Sequence, residues 1–460
     1  MQKILLFNFF CAKIKYTYYV INKINKYNSY LEENLVKFLN KQDFENLGSN
    51  SNFAKECANL YAKNNGLEYQ IKRYKELYQI HSEFSGENVL IFSSPGRIEV
   101  CGNHTDHNNG KVLCASISVD TIAMVTPVIE GTITIASVGY PPLVVDINDL
   151  EPKTSEHGKS EGLVRGVCAY FKQNGYKIGG FYATTTSDVF KGAGVSSSAC
   201  FEVLVCEILN VLYNDRKMDA LTKAYASHLA ESEYFGKPCG LMDQSAIALG
   251  GVSYIDFKDT KAPEVESIPW KFDGVDIVLV NCGGDHCGLT DQYASIRTEM
   301  EDVAKIFGQK VLRFVSKDKF LSTIPIIQSD VSGRAILRAM HYFDENDRVD
   351  NCALAIKNVD IDKYYQMINQ SGDSSYKLLQ NCYPEGDRDM RIPMALALSK
   401  NICGSQGAIR VHGGGFAGTM IAYIPTELTD TLVSSLKAVF GTDNVFEISI
   451  RNSGTRQVEI

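Results

Sequence analysis

Residues 94–110 read SPGRIEVCGNHTDHNNG and concentrate polar side chains in a connection marked by proline and glycine. The side chains that could do chemistry there are Arg97, Asn103, His104, Asp106 and His107. Apolar, β-rich runs at 89–92 and 112–117 flank the connection, so the cluster is expected where two strands meet, a usual location for a binding site. His104 and His107 have no Cys or Glu at ligand spacing, so the pattern favours hydrogen bonding to a polyol over zinc binding.

A second segment, residues 191–200 (KGAGVSSSAC), has the composition of a phosphate-binding loop. Its glycines allow the backbone to approach a ligand closely, and its serines supply hydroxyl and amide groups at the start of a predicted helix, where partial positive charge accumulates. The segment lacks the GK[ST] ending of a Walker A loop, and Ser197 stands where a dinucleotide fingerprint has its third glycine. A tight turn before a buried helix is the alternative interpretation.

Ser198 could contribute its hydroxyl to a Mg²⁺ site, because this ion prefers oxygen ligands and is commonly held by a protein carboxylate as well. Glu231 and Glu233 are the candidate carboxylates, near the end of a predicted helix. We favour Glu231 as the ligand and expect Glu233 to be a solvated surface charge, since carboxylates on helices are mostly exposed.

Asp243 lies in an apolar, glycine-containing run, CGLMDQSAIALGG, at residues 239–251. An unpaired carboxylate in such surroundings would be costly, so a partner such as Arg97 is predicted. A buried ion pair with a purely structural role is the alternative.

The glycines at 413–415 lie between two predicted strands. They could bring a second stretch of backbone close to the phosphates, or they could simply form a hairpin, and taken alone the hairpin is the better interpretation.

The chain has 460 residues, enough for about two domains, and its 45% hydrophobic and 22% charged content is that of an ordinary globular protein. The net charge of -8, without a block of Lys and Arg, argues against nucleic acid or an anionic membrane and favours a small-molecule partner. Thirteen cysteines without C-x-x-C spacing favour reduced thiols and a cytoplasmic location. The apolar run at 4–12 is too short to span a bilayer, and Lys13 follows it at once, which argues against a signal peptide.

Three segments are predicted along the chain. Residues 1–60 form an N-terminal extension whose order the composition leaves open, and the GSNSN stretch at 48–52 is interpreted as a linker. Residues 61–270 and 271–460 form two domains, in which helical and strand patterns alternate irregularly, as in α/β or α+β proteins. Helices are expected at 52–80, 198–209, 221–234, 295–307, 333–344 and 360–369, and strands at 89–92, 112–117, 121–126, 132–137, 275–281, 408–412, 419–424 and 445–449.

In this order, the segments resemble the galactokinases of the GHMP kinase superfamily. The first is similar to the signature PGRxNxxGEHTDYxxG, through Pro95, Gly96, Arg97, Gly102, His104, Thr105, Asp106 and Gly110. The loop at 192–199 is similar to the family's GxGLSSSA, CGLMDQ at 239–244 to its CGIMDQ, and GGGFAG at 413–418 to its GGGFGG. Weaker similarity at 285–293 and 341–349 extends the likeness over about residues 65–460.

The resemblance implies an α+β fold with a ribosomal-protein-like N-terminal domain and a ferredoxin-like C-terminal domain, with ATP and a sugar bound in the cleft between them. It implies that Asp243 accepts or orients the proton of the sugar's C1 hydroxyl, while Arg97 keeps Asp243 ionised and faces the transferring phosphoryl group. Ser198 and Glu231 would hold Mg²⁺ on ATP. The chain is expected to act as a monomer.

The remaining implied contacts fall into two groups. The sugar would contact His104, Asp106, Gly240 and Tyr293. ATP would bind to the loop formed by Gly192, Ala193, Gly194, Val195, Ser196, Ser197, Ser198 and Ala199.

Two positions depart from the family pattern. The family's Asn and Glu stand where this chain has Glu99 and Asn103, as if exchanged, and residues two apart share a face of a strand, so the exchange could preserve a local hydrogen bond. Because the resemblance assigns the family Glu to the C6 end of the sugar, Asn103 is expected to contact the substrate, and it is compatible with a C6 carboxylate or with a sugar lacking C6. Asp285 stands where many relatives have a basic residue.

The function predicted from the resemblance is phosphorylation of galactose at C1 by ATP. A kinase for L-arabinose, N-acetylgalactosamine or a uronic acid is the alternative within the same class. A sensor that binds galactose and ATP without catalysis is the alternative from another class, and the intact Ser198, Ala199, Arg97 and Asp243 argue against it.

Overall fold

The computed structural model describes residues 37–61, 66–189, 194–237, 239–283, 289–416 and 418–460. The helices in this part of the chain are α1 (Lys41–Glu45), α2 (Ser51–Tyr61), α3 (Leu67–Ser85), α4 (Ser160–Gln173), α5 (Ser197–Tyr213), α6 (Ala220–Leu229), α7 (Met242–Leu249), α8 (Thr290–Ile306), α9 (Lys317–Ile327), α10 (Gly333–Lys357), α11 (Ile361–Ser374), α12 (Arg391–Cys403) and α13 (Thr429–Phe440). The strands are β1 (Leu90–Cys101), β2 (Lys111–Val128), β3 (Thr132–Ser137), β4 (Leu143–Asp146), β5 (Gly180–Ser187), β6 (Val252–Asp256), β7 (Glu264–Ile268), β8 (Val275–Asn281), β9 (Ala408–His412), β10 (Thr419–Pro425), β11 (Val445–Ile448) and β12 (Arg456–Val458). None of the helices described is both long enough and apolar enough to cross a membrane.

The first sheet has eight strands among the described residues, in the order β12-β1-β2-β5-β3-β4, with β6 paired to β2 and β7 to β6. Every residue of β1 is buried. Ile91 packs with the N-terminal helices on one face of the sheet, and Leu90 and Phe92 pack with α4 and α5 on the other. A strand covered on both faces is expected to be apolar along its whole length, which explains the continuous run at its start.

The register of β1 against β2 shifts twice, between Pro95 and Arg97 and between Glu99 and Cys101. Such irregularities bend a strand and change the direction of its side chains, and they are common beside active sites. They lie on either side of the two charged residues of β1.

The second sheet has the order β11-β8-β10-β9, and its neighbouring strands are antiparallel. Helices α12 and α13 cover one face of it, while residues of α10 and α11 pack on the other. Two sheets with helices packed on them form the predicted α+β fold of GHMP type. The strand β12 returns to the first sheet and pairs with β1, so the final residues of the predicted second domain belong to the first sheet. The domain boundaries otherwise stay predictions.

The interpretation of residues 48–52 as a linker is wrong. The side chain of Asn50 accepts hydrogen bonds from the backbone N–H groups of Asn52 (2.9 Å) and Phe53 (3.0 Å), so it caps the first turn of α2. Phe53 and Leu60 are fully buried against the first sheet. A Ser/Asn composition suits a helix cap as well as a linker, and here the apolar residues that follow decide the structure. The apolar run at 4–12 lies outside the described residues.

Several predicted elements differ in extent. The helix predicted at 333–344 continues to Lys357, and the one predicted at 360–369 continues to Ser374. The helix predicted at 221–234 changes at Leu229 into a π-helical turn, Ala230–Tyr234. Turns of this kind are frequent at functional sites, and this one contains Glu231.

Candidate active site

Arg97 and Asp243 form the central ion pair of the site. Arg97 Nε and Nη2 donate to the two carboxylate oxygens of Asp243 at 2.7 and 2.8 Å, so the predicted pairing is confirmed. Ser196 Oγ donates to the same carboxylate. The Arg97 side chain is 8% exposed and that of Asp243 is 31% exposed, so the carboxylate keeps an open side.

The surroundings of Asp243 favour its charged form. Burial alone would raise its pKa, but the Arg97 guanidinium, together with the Ser196 hydroxyl, holds the pKa below its ordinary value. Asp243 is also the second residue of α7, where the helix dipole favours a negative charge. The group is therefore a carboxylate at neutral pH, suited to orienting a hydroxyl and stabilising charge more than to strong base chemistry.

The predicted phosphate-binding loop at 191–200, called the phosphate loop below, contacts Arg97. Gly194 has φ +67° and Ser196 has φ +59°, and α5 begins at the next residue, as the loop-to-helix prediction requires. The backbone N–H of Arg97 donates to Val195 O at 3.2 Å, and Arg97 Nη1 donates to Gly194 O. The Ser196 hydroxyl, at the N-terminus of α5, thus lies beside Asp243. Gly192 and Ala193 lie outside the described residues.

Ser198 and Glu231 lie side by side, with Ser198 Oγ donating to Glu231 Oε1 at 3.0 Å. Lys237 Nζ and Gln244 Nε2 also bind the Glu231 carboxylate, at 2.8 and 2.7 Å. A hydroxyl and a carboxylate beside a phosphate loop are oxygen donors that fit Mg²⁺, which takes one or two carboxylates and completes its shell with phosphate oxygens and water. Glu231 is buried and Glu233 is exposed, in keeping with the preference for Glu231.

Sequence reasoning missed Glu202, on the inner side of α5. Its side chain is fully buried, and neither carboxylate oxygen has a hydrogen-bond partner among the described residues. Burial, and after it the charge of Glu231, raise the pKa of Glu202 well above its ordinary value. A lone glutamate in the otherwise apolar run at 198–209 was the available signal.

The predicted sugar contacts Asp106 and Gly240 lie together. A Cβ at Gly240 would collide with Asp106 Oδ2, so only glycine permits this approach. Burial, followed by the charges of Asp243 and Glu99, raises the pKa of Asp106 to about 6, partly offset by the backbone N–H of His107. Asp106 therefore lies close enough to the Asp243 carboxylate for the charge of Asp243 to affect it.

His104 and Tyr293 both contact the turn between β9 and β10, which contains the glycines at 413–415 and is called the glycine hairpin below. His104 Nε2 lies 3.0 Å from Gly414 O, and the Tyr293 hydroxyl donates to Gly415 O at 2.8 Å. The structure brings both side chains to the same hairpin, and their contact with a sugar stays a prediction.

The structure encloses the Asn103 side chain in protein, and its contact with the sugar stays a prediction. Asn103 has no exposed surface, and its amide nitrogen donates to Glu99 Oε1 at 3.0 Å and to Gly413 O at 2.7 Å. Its carbonyl oxygen accepts from Asn381 and Ser375 at 2.9 and 3.2 Å. Every polar atom of the side chain is satisfied by protein, so Asn103 supports the site from behind. The local hydrogen bond to Glu99, expected from the exchange of the two residues, is confirmed.

Two further residues that sequence reasoning did not assign come from α10. Glu345 Oε1 accepts the backbone N–H groups of Gly102 and Asn103 at 3.0 and 3.3 Å, and His341 Nε2 lies 2.9 Å from Asn103 O. Both side chains are fully buried. They fix the backbone of the signature segment, which is consistent with the weak similarity noticed at 341–349.

The glycines at 413–415 form the turn between β9 and β10, so the hairpin interpretation is confirmed. Gly413 and Gly415 have φ values of +67° and +77°. The hairpin also approaches the phosphate loop, because a Cβ at Gly413 would lie 3.8 Å from Gly194 O. Ala417 and Asp285 lie outside the described residues.

Comparison with known proteins gives matches over both halves of the site. The family model "Galactokinase galactose-binding signature" matches residues 79–127, and "GHMP kinases N terminal domain" matches residues 162–251. The structure of Lactococcus lactis galactokinase complexed with galactose is similar with a TM-score of 0.74 and 23% identity, over 84% of this chain and 100% of that one. Mevalonate kinase of Methanococcus jannaschii is similar with a TM-score of 0.57 and 15% identity, over 79% of this chain and 98% of that one.

A third similar structure is Streptococcus pneumoniae phosphomevalonate kinase in complex with phosphomevalonate and AMPPNP, with a TM-score of 0.53 and 13% identity, over 80% of this chain and 100% of that one. These structures share the fold, and the two family models cover the segments that hold Arg97, Asp106, Ser198, Glu231 and Asp243. The chain therefore shares the fold of these kinases, and two of its segments match the galactokinase galactose-binding signature and the N-terminal domain of GHMP kinases.

Proposed function

We propose that the protein is a sugar kinase that transfers the γ-phosphoryl group of ATP to the C1 hydroxyl of galactose, producing galactose 1-phosphate and ADP. The observation that carries the proposal is the position of Asp243, held by Arg97 and Ser196 between the phosphate loop and the Asp106–Gly240 contact. A carboxylate with one open side at this junction is suited to meet a substrate hydroxyl.

In the proposed reaction, the C1 oxygen forms a bond to the γ-phosphorus while the bond from that phosphorus to the bridging oxygen of ADP breaks. Asp243 orients the C1 hydroxyl and receives its proton, and ADP leaves with the electron pair. Because Asp243 is a weak base, most of the rate would come from alignment and charge stabilisation, as in phosphoryl transfer generally.

The N-terminus of α5 and the loop from Gly194 to Ser198 would bind the phosphates of ATP. Ser198 and Glu231 would hold Mg²⁺, which neutralises phosphate charge when bound. His104, Asp106, Gly240 and Tyr293 would form the sugar side of the site.

The case for another sugar rests on Asn103, and the complete burial of this side chain argues against its direct contact with the substrate. Asp106, with an exposed fraction and a glycine opposite, is the better candidate for reading sugar hydroxyls. Galactose is therefore the proposed substrate. A cytoplasmic location and a monomeric state stay predictions.

The test is incubation of the full chain with ATP, Mg²⁺ and a panel of galactose, glucose, L-arabinose, N-acetylgalactosamine and galacturonate, followed by phosphorus NMR to locate the phosphate. Galactose should react fastest and carry the phosphate at C1. Faster turnover of another sugar in the panel would show that this sugar, and not galactose, is the preferred substrate. Binding of galactose and ATP without any transfer would instead favour the sensor.

A further inference from the structure

His412 and Thr419 face each other across the glycine hairpin. His412 is the last residue of β9, Thr419 is the first of β10, and the two are direct partners in the antiparallel pairing. Directly opposed residues project their side chains from the same face of a sheet, with Cβ atoms about 5 Å apart. Both residues are almost completely buried, at 2% and 1% exposed.

The hydrogen bond at one ring nitrogen of His412 determines its tautomer. The backbone N–H of Glu99 donates to Nε2 at 3.1 Å, so this nitrogen carries a lone pair and the ring hydrogen is on Nδ1. Burial, and then the nearby Arg97 and Arg410, lower the pKa of His412 well below its ordinary value, so the ring stays neutral. Nδ1–H is therefore a fixed hydrogen-bond donor.

Neither this donor nor the Thr419 hydroxyl has a partner among the described residues. A buried polar group left unpaired is destabilising, because it has lost its hydrogen bonds to water without replacing them. Two such donors on opposed residues of one hairpin indicate that they share a hydrogen-bond acceptor, which the described residues do not supply.

Both groups face Gly194 of the phosphate loop. A Cβ at Gly194 would lie 3.3 Å from Thr419 Oγ1 and 3.5 Å from His412 Nδ1. Gly194 lies three residues before the start of α5, whose N-terminus favours anions, and the Arg97 guanidinium binds the Gly194 carbonyl. Two neutral donors, a helix N-terminus and a cationic side chain thus converge on one position, which is chemistry suited to an anionic oxygen.

We propose that His412 Nδ1–H and Thr419 Oγ1–H donate hydrogen bonds to a phosphate oxygen of the bound nucleotide. The inference rests on the proposed binding of ATP at this loop and adds two positioning residues from the second sheet. In this arrangement the hairpin does more than approach the loop through its glycines, because it contributes side-chain donors to the phosphate site. A buried water molecule shared by the two groups is the competing explanation.

The two nitrogens of His412 can be tested separately. In His412→Gln the side-chain oxygen can still accept from the Glu99 N–H, but the donor toward Gly194 is lost. In His412→Asn the amide can replace the Nδ1–H donor, but the acceptor is lost. Thr419→Val removes the hydroxyl at nearly constant shape, and Thr419→Ser retains it.

The measurement is calorimetric titration of the full chain, without sugar, with adenosine, ADP and a non-hydrolysable ATP analogue. His412→Gln and Thr419→Val should weaken binding of the analogue by roughly ten- to a hundredfold, the expected effect of losing a hydrogen bond to a charged group, and should leave adenosine binding unchanged. His412→Asn and Thr419→Ser should bind close to the parent. A larger loss for the analogue than for ADP would assign the contact to the γ-phosphate.

Tyr423→Phe is the matched control, because it also removes a buried hydroxyl that has no hydrogen-bond partner among the described residues. Tyr423 lies four residues further along β10, opposite Ala408, and its ring packs against Trp270 and Tyr364. Its nucleotide affinity should equal that of the parent.

Parent-like affinity for the analogue in both His412→Gln and Thr419→Val would overturn the inference and leave the shared water as the explanation. Equal losses for adenosine and the analogue would also overturn it, since they would reflect general damage to the fold. If His412→Gln does not fold, the comparison of Thr419→Val with Thr419→Ser decides alone. A parent protein that binds no nucleotide would instead contradict the proposed function itself.

Discussion

Two ion pairs begin on alternate residues of β1 and differ in what surrounds them. Arg97 pairs with Asp243 at 2.7 Å, and Glu99 pairs with Arg410 at 2.5 Å. The Asp243 side chain is 31% exposed, whereas those of Glu99 and Arg410 are 3% and 0% exposed. The first pair is partly open to solvent, and the second is enclosed by protein.

The enclosed pair joins the signature strand to the second sheet. Glu99 also accepts from Asn103 at 3.0 Å, and Arg410 donates to Val100 O at 2.9 Å. The hydrogen bonds of Glu99 are thus directed to the scaffold, while Asp243 keeps a side on which a substrate can bind. Both pairs join a carboxylate to an arginine at close range, and the open side of Asp243 is what distinguishes the carboxylate proposed to react from the enclosed one.

The largest effect is expected for the enclosed pair. Glu99→Gln leaves the buried Arg410 without its ion-pair partner, and loss of one partner of a buried pair costs about 3–5 kcal/mol in the free energy of unfolding. Urea denaturation measures it. Glu301→Gln, which breaks the more exposed Arg297–Glu301 pair on α8, is the control and should cost less than about 1 kcal/mol. A similar small loss for both would show that the enclosed pair is not structural.

The open pair should respond in turnover more than in stability. Asp243→Asn keeps the size of the side chain but removes the group that orients the C1 hydroxyl, so kcat should fall by a factor on the order of a hundred or more, about 2.7 kcal/mol in the barrier. Nucleotide affinity should be retained. Steady-state kinetics with galactose, together with nucleotide titration, test this, and turnover within threefold of the parent would remove Asp243 from its proposed role.

The sequence was sufficient to predict the open pair and insufficient for the enclosed one. An aspartate in an apolar run requires a cationic partner, and Arg97 is the cationic side chain of the polar segment at 94–110. The Arg97–Asp243 contact could therefore be predicted from the sequence. The environment of Asn103 depends instead on Ser375, Asn381 and Gly413, more than 270 positions away, and no local pattern reports such packing. Its position in a binding signature therefore suggested a substrate contact, and gave no sign that the side chain is enclosed by protein.

A similar limit applies to the phosphate site. The glycine and serine composition predicted the loop and the start of α5 correctly. The orientation of His412 toward Gly194 depends on the pairing of β9 with β10 and on a hydrogen bond from Glu99, which only the assembled fold specifies.

The next prediction concerns Asp106, a carboxylate that forms no ion pair in the described part of the chain. Its pKa is raised to about 6, mainly by burial, so the folded protein holds the proton more tightly than the unfolded chain does. The corresponding stabilisation is complete below the unfolded pKa of 3.8 and is lost as the pH rises through about 6. Relative to Asp106→Asn, which does not titrate, the parent should lose roughly 2 kcal/mol of stability between about pH 4 and 7.

Denaturation curves of the parent and of Asp106→Asn across this pH range make the comparison. A constant difference between the two proteins at every pH would mean that Asp106 behaves like an exposed aspartate. In that case the difference in burial would separate Glu99 from Asp243, but burial would have no effect on the carboxylate at the predicted sugar side of the site.

The smallest expected effect concerns Glu231, which is as buried as Glu99 but is proposed to be functional. Its carboxylate contacts Ser198, Lys237 and Gln244, and of these Lys237 is largely exposed, with 59% of its side chain accessible. A partner of this kind can move away when a cation binds, whereas Arg410 cannot leave Glu99.

Glu231→Gln should therefore raise the Mg²⁺ concentration for half-maximal activity by about tenfold, since one carboxylate ligand is lost while phosphate oxygens and water remain. Glu233→Gln, on the same π-helical turn but exposed, should leave the Mg²⁺ requirement unchanged. Equal shifts for the two variants would contradict the assignment, and a loss of folding stability in Glu231→Gln without a change in the Mg²⁺ requirement would place Glu231 with the enclosed pair.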